Sequence, residues 1–191
     1  CTRPDISLAV GVLTRHMSAP GKQHWKAAKE VVRYLAGTVE YGLVFGGNRV
    51  EEGLVGFGDA DFAGCVETRR STSGVVFLLH GAAVSWSSKI QRSVSVSTME
   101  AEYVAASEAA KEALWLRQLL SDLGYYLHPT QLYCDSQCAM KVMQNPVITE
   151  RSKHIEVRVH SIRGIVASRA IKIVDCRTSE MVADCLTKPL P

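Results

Sequence analysis

The stretch LVGFGDADFAG, from Leu54 to Gly64, decides how the chain folds. Leu54, Val55 and Phe57 make a short apolar run, and its pattern breaks at Asp59 and Asp61 because Asp is disfavoured inside strands. This reading places Asp59 at the last useful position of a strand. Two more apolar runs follow, GVVFLLHG (74–81) and AAVSWSS (82–88), parted at His80 and Gly81, so that the three form an antiparallel meander. At Ser97 the period changes. S-T-M-E is a capping box in which Ser97 and Glu100 satisfy orphan backbone donors, and a helix is expected from there to about Asp122. Its apolar side is read from Val104, Ala105, Leu114, Leu116, Leu119, Leu120 and Leu123. TQLYCD is a further strand, ending on Asp135, and SQCAMKVMQN a helical run after it. Residues 150–168 read as helix, AIKIVDC as strand, and SEMVADCLTK as a closing helix that carries Asp184.

Strands and helices in that order predict an α/β fold, one mixed sheet flanked by helices. In such sheets the strand ends and helix starts on one side form the ligand crevice, where Asp59 and Asp135 can meet. Gathering acids there is costly without counter-ions, and ligands that are all oxygen select magnesium, manganese or calcium. Two such ions roughly 3.5–4 Å apart hold the attacking water and the leaving oxygen of a phosphodiester in line. No nucleophilic side chain competes with this reading. RRSTSG and SWSSK lack a nucleophile elbow, and no Cys or His spacing suits a triad or a zinc site.

Six blocks, DADFAGCVETRRSTSG, GAAVSWSSK, STMEAEYVAASEAAKEALWLRQLL, LYCDSQCAM, ERSKHIEVRVHSIR and ADCLTKPL, occur in one order. In that order and spacing the chain resembles the ribonuclease H domain of copia-type long-terminal-repeat retrotransposon Pol polyproteins. The resemblance implies a ribonuclease H-like fold with a mixed five-stranded sheet, and cleavage of the RNA strand of RNA/DNA hybrids during reverse transcription. It implies two Mg2+ ions, with Mn2+ as a substitute, held by Asp59, Glu102, Asp135 and Asp184, the same four acids being the catalytic residues. Asp61 is the neighbour open to confusion with Asp59. Glu100 stays an alternative to Glu102, since both lie at the helix start. Metal-activated water is the implied nucleophile, leaving a 5′-phosphate and a 3′-hydroxyl.

Residues 1–49 resemble the helical thumb or connection segment that follows the polymerase in these elements, and 50–191 form the ribonuclease H-like part. Pro4 suits a first helical turn and Gly37 a C-terminal cap, so two amphipathic helices are expected before Val50. Lys22, Lys26, Lys29 and Arg33 recur there at helical spacing, either as a solvated face or as phosphate contacts. The chain carries no paired-aspartate polymerase motif and begins at Cys1, which reads as a fragment whose partner is the upstream polymerase portion.

The chain has 191 residues, 47% hydrophobic and 21% charged, which suits a globular domain with an appendage. No apolar run approaches the roughly 20 residues of a bilayer span. Six cysteines without framework spacing read as reduced thiols of an intracellular protein, in a cytoplasmic virus-like particle or the nucleus. A net charge of +3 says little about nucleic acid, and local clusters say more. Arg69, Arg70, Lys89, Arg92, Lys153, Arg158 and Arg163 are candidates to line a hybrid groove, with Ser71, Thr72 and Ser73 either hydroxyl partners or turn residues. Trp86 is expected in the core. His154 and His160 read as surface or packing residues on a basic helix, with a mobile general acid or product-release group as the other option. Gly58, Phe62, Met99, Val159 and Gly164 depart from the family pattern. They keep open a second reading, a catalytically inactive remnant or a scaffold that holds nucleic acid for the polymerase.

Overall fold

Five strands form one mixed sheet: β1 (Leu54–Ala60), β2 (Thr72–Leu79), β3 (Ala82–Ile90), β4 (Thr130–Cys134) and β5 (Ile171–Asp175). This is seen in a computed structural model that describes residues 2–46, 53–144 and 156–189. The order across the sheet is β3-β2-β1-β4-β5. The first three strands are the antiparallel meander expected from sequence, and β4 and β5 run parallel to β1. His80 and Gly81, with φ of 50° and 80°, close the β2–β3 hairpin as a two-residue turn whose twist matches the strands it joins.

Among the described residues, five α-helices accompany the sheet: α1 (Ser7–Thr14), α2 (Lys22–Gly37), α3 (Thr98–Asp122), α4 (Gln137–Gln144) and α5 (Glu156–Ala167). α3 packs across β1 and β2, but its packing face differs from the leucine side read from sequence. Leu116 and Leu120 are buried, whereas Leu114, Leu119 and Leu123 are 38%, 41% and 66% exposed. Val104 and Ala105 are buried as expected, and Ala101, Ala106, Ala109, Ala110 and Ala113 complete the buried ridge. A helix meets a sheet most closely through small side chains, and Gly58 of β1 lies directly under Ala109. Trp86, expected in the core, is half-buried beside the cluster of Val55, Phe57 and Val76.

The closing helix is not formed. SEMVADCLTK folds as two 3₁₀ turns, Thr178–Glu180 and Val182–Leu186, separated by Met181 in an extended conformation. The three-residue repeat stacks Ala183 above Leu186, and both are buried against the sheet face that carries Val55, Phe57 and Val76. Gly74 makes this docking possible. A Cβ there would lie 2.7 Å from Thr187 Cγ2 and 2.8 Å from the Ala183 carbonyl oxygen. Gly74→Ala is accordingly expected to cost about 1–3 kcal/mol by overpacking, read as a lowered thermal midpoint.

At the N-terminus, Pro4 opens a 3₁₀ turn (Pro4–Ile6) that leads into α1. α1 lies against β3, where Gly11 approaches the Ser88 carbonyl and the Arg15 guanidinium donates to Thr72 Oγ1 at 3.4 Å. Gly37 is the last residue of α2 and not a cap beyond it; the Thr38 hydroxyl bonds the Tyr34 carbonyl at 2.7 Å. Lys22, Lys26 and Lys29 are exposed, and Arg33 pairs with Glu30 at 2.6 Å. Among the described residues no helix is long and apolar enough to cross a membrane.

Candidate metal centre

The register of two parallel strands builds the site. Phe57 pairs with Tyr133, so two residues further on Asp59 and Asp135 emerge side by side, one strand spacing apart. The third acid arrives from the start of α3. Ser97 caps that helix, its side chain accepting from the Glu100 amide at 3.1 Å, while the Glu100 carboxylate accepts from the Val96 amide at 2.7 Å. Glu100 is thereby consumed by the cap, and Glu102, half a turn on, points to the strand ends, where it accepts from the Ala60 amide at 3.4 Å. One carboxylate oxygen from each of Asp59, Glu102 and Asp135 lies within 4.8 Å of the others.

Asp184 stands outside that set. Its carboxylate takes the Lys188 ammonium at 2.7 Å. It is still close enough that its charge, with that of Asp135, adds to burial in pushing the Asp59 carboxyl up to about 6. Burial also pushes Glu102 up, to about 9, with Asp59 and Asp135 adding repulsion. Two hydroxyls oppose this cost. Thr187 donates to Asp59 Oδ2, and Thr178 donates to Asp135 Oδ2 at 3.0 Å. Among the described residues two acceptors remain without a donor, Glu102 Oε2 and Asp184 Oδ1, both buried. Buried acceptors are almost always satisfied, and clustered hard oxygens lacking donors fit a divalent cation such as magnesium or manganese. The donor set thus suits the implied ions.

Several residues that hold the site carry no signal in sequence. Gln91 is buried and ties the start of α3 to the sheet, donating to Ser73 Oγ at 3.0 Å and to the Ala101 carbonyl at 2.9 Å while accepting from Ser95. A single Gln in a polar loop cannot be told from a solvated one. Thr187 and Lys188 lie in the block ADCLTKPL, but their partners exist only once the 3₁₀ turns have formed.

Other candidates have structural occupations. Asp61 accepts from the Thr72 amide at 2.6 Å, which separates it from Asp59. Ser71, Thr72 and Ser73 are buried, their hydroxyls accepting from the Ala63 amide, Arg15 and Gln91 respectively, so they have structural partners and do not face a ligand. Arg163, placed above among the groove candidates, is turned inward, donating twice to the Val142 carbonyl at 3.1 and 2.9 Å. Arg69, Arg70, Lys89 and Arg92 are exposed. Lys153 and His154 lie outside the described residues, as do the side chains of Arg158 and His160.

No family model matches the chain. All of it aligns, at 46% identity, with the retrovirus-related Pol polyprotein from transposon TNT 1-94 of Nicotiana tabacum, of which it spans 14%. It is 42% identical over 99% of its length to the corresponding polyprotein from transposon RE2 of Arabidopsis thaliana, spanning 13% of that protein. A crystal structure of LC11-RNase H1 in complex with an RNA/DNA hybrid superposes on 70% of the chain and 93% of its own, with a TM-score of 0.53 at 18% identity. The sheet and its flanking helices therefore have the ribonuclease H fold.

Proposed function

This chain belongs to the Pol polyproteins of copia-type retrotransposons, and from that premise we propose that it is a divalent-cation-dependent endonuclease cutting the RNA strand of RNA/DNA hybrids. One observation carries the reading: Asp59, Glu102 and Asp135 converge within 4.8 Å. The hybrid held by the structural relative supports the choice of substrate.

Asp59, Glu102 and Asp135, with Asp184 beside them, would hold two Mg2+ ions, for which Mn2+ would substitute. When bound, the ions supply the charge that activates water and stabilises the leaving oxygen of the phosphodiester. The chain's own groups do the rest. Thr187 and Thr178 donate to Asp59 and Asp135, which fixes the two carboxylates that would bind the cations. Glu102 would supply a buried carboxylate oxygen for which no donor competes among the described residues. Exposed Arg69, Arg70, Lys89 and Arg92 bind phosphates without reading sequence. The products are a 5′-phosphate and a 3′-hydroxyl.

Residues 1–49 form the thumb or connection end of the polymerase, and the upstream polymerase portion is the partner. Their helices bury no residue, and Trp25, Val32 and Tyr41 are 68%, 64% and 65% exposed, as suits a surface that the rest of a polyprotein covers. The site of action is intracellular.

A substrate panel tests the proposal. RNA/DNA hybrid is cleaved with magnesium present, while RNA duplex and DNA duplex of the same sequence survive; equal cleavage of all three, or of DNA, refutes the assignment. The two helix-start acids separate in the same assay. Glu100→Ala is expected to lose about 1 kcal/mol of stability with its cap yet keep cleaving, whereas Glu102→Gln keeps the fold and stops cleaving.

A further inference from the structure

We propose that Lys188 is a built-in counter-ion of the fourth carboxylate, and that a divalent cation reaching Asp184 must displace its ammonium group. The inference rests on the cation-binding reading above and concerns how the two cation positions differ.

Asp184 is the acid excluded from the converged set. Its Oδ2 lies 2.7 Å from Lys188 Nζ, and its Oδ1 is buried without a partner among the described residues. The backbone fixes the lysine in place, since the Lys188 amide donates to the Asp184 carbonyl at 3.1 Å. The preceding residue, Thr187, orients Asp59, so one short turn sets both the hydroxyl that aligns the central acid and the cation that covers the outer one. The Lys188 charge also reaches Asp59 and Asp135. Exposure separates the partners. The Asp184 side chain is 13% exposed and that of Lys188 48%, so the ammonium can retreat into water whereas the carboxylate cannot. A cation taking Asp184 therefore works against an ion pair, while one bound by Asp59, Glu102 and Asp135 meets no such competitor. The two positions fill at different concentrations, and Lys188 sets the gap. It acts as a positioning residue, through Asp184.

The test uses Mn2+ alone, added to the full chain without nucleic acid and followed by electron paramagnetic resonance of free ion and by calorimetry. Wild type binds one ion tightly and a second more weakly. Lys188→Met keeps the length of the side chain and is expected to tighten the weaker site about fivefold, with a smaller gain at the tighter site, whose acids feel the Lys188 charge only from a distance. Lys188→Arg keeps the weaker site weak. In a second measurement, on wild type with 13C-methylated lysines, the Lys188 signal shifts only over the magnesium range that fills the weaker site; this stands if the Met variant does not fold. A weaker site unchanged or weakened in Lys188→Met, or a Lys188 signal that moves with the first ion, overturns the inference alone. Absence of Mn2+ from both sites overturns the cation-binding reading and the inference with it.

Discussion

Asp59→Asn is expected to abolish hybrid cleavage while raising the stability of the cation-free protein. The two effects have one cause. Burial, aided by Asp184 and Asp135 and opposed by the Thr187 hydrogen bond, pushes the Asp59 carboxyl from 3.8 up to about 6. A carboxyl raised on folding favours the protonated form, so its contribution to stability is present below pH 3.8 and lost as pH rises through about 6. Near pH 7.5 the native site therefore carries an ionised group that the fold disfavours. Asn is neutral and its carbonyl still accepts from Thr187, so denaturant unfolding without divalent cation should give a midpoint above wild type. In magnesium the variant lacks a charged oxygen ligand, and cleavage should fall about 10³-fold or more, equivalent to a loss of ~4 kcal/mol of transition-state stabilisation. A variant that lost stability as well would mean that Asp59 serves the fold and not the ions.

Glu102 makes the cation-free protein less stable as pH rises, and magnesium should reverse the trend. Its carboxyl is pushed from 4.5 up to about 9, first by burial and then by Asp59 and Asp135. The sign is that of Asp59: stability is present below pH 4.5 and drains away until the pH passes about 9. Taken together, the two groups should lower the thermal midpoint of cation-free protein by roughly 10–25 °C between pH 5 and pH 9. Divalent ions bind the ionised carboxylates, so the gain in midpoint from millimolar magnesium should grow with pH across the same window. In Glu102→Gln most of the slope should vanish. Differential scanning calorimetry at several pH values, with chelator and with magnesium, reads all three results, and a midpoint independent of pH in chelator would contradict the electrostatics of the site.

Much of this arrangement is written in local pattern. Asp59 and Asp135 interrupt apolar strands at their ends, and because those strands are parallel neighbours, the interruption itself brings the acids together. The S-T-M-E start likewise marks the α3 boundary, and the cap geometry separates Glu100 from Glu102 in a way that sequence leaves open. What sequence hides depends on long-range packing. Of the leucines read as the buried side of α3, Leu116 and Leu120 are buried but Leu114, Leu119 and Leu123 are not, and alanines fill the rest of the ridge, because the distance between helix and sheet is a property of both surfaces. SEMVADCLTK has helical composition but folds as 3₁₀ turns, since only a three-residue repeat seats Ala183 and Leu186 on a sheet that Gly74 leaves bare. That same turn separates Asp184 from the other acids and hands it to Lys188. Arg163 shows the converse error, a basic residue read as groove lining whose guanidinium is taken up by a carbonyl of the chain itself.

Cleavage of an end-labelled RNA/DNA hybrid by the purified chain, in magnesium and in manganese and beside Asp135→Asn, bears most directly on the nuclease assignment. RNA fragments ending in 3′-hydroxyl should accumulate with either ion and be absent with the variant. An intact RNA strand in both metals, from protein whose folding is established by its thermal transition, would contradict the assignment and leave a nucleic-acid-holding module in its place.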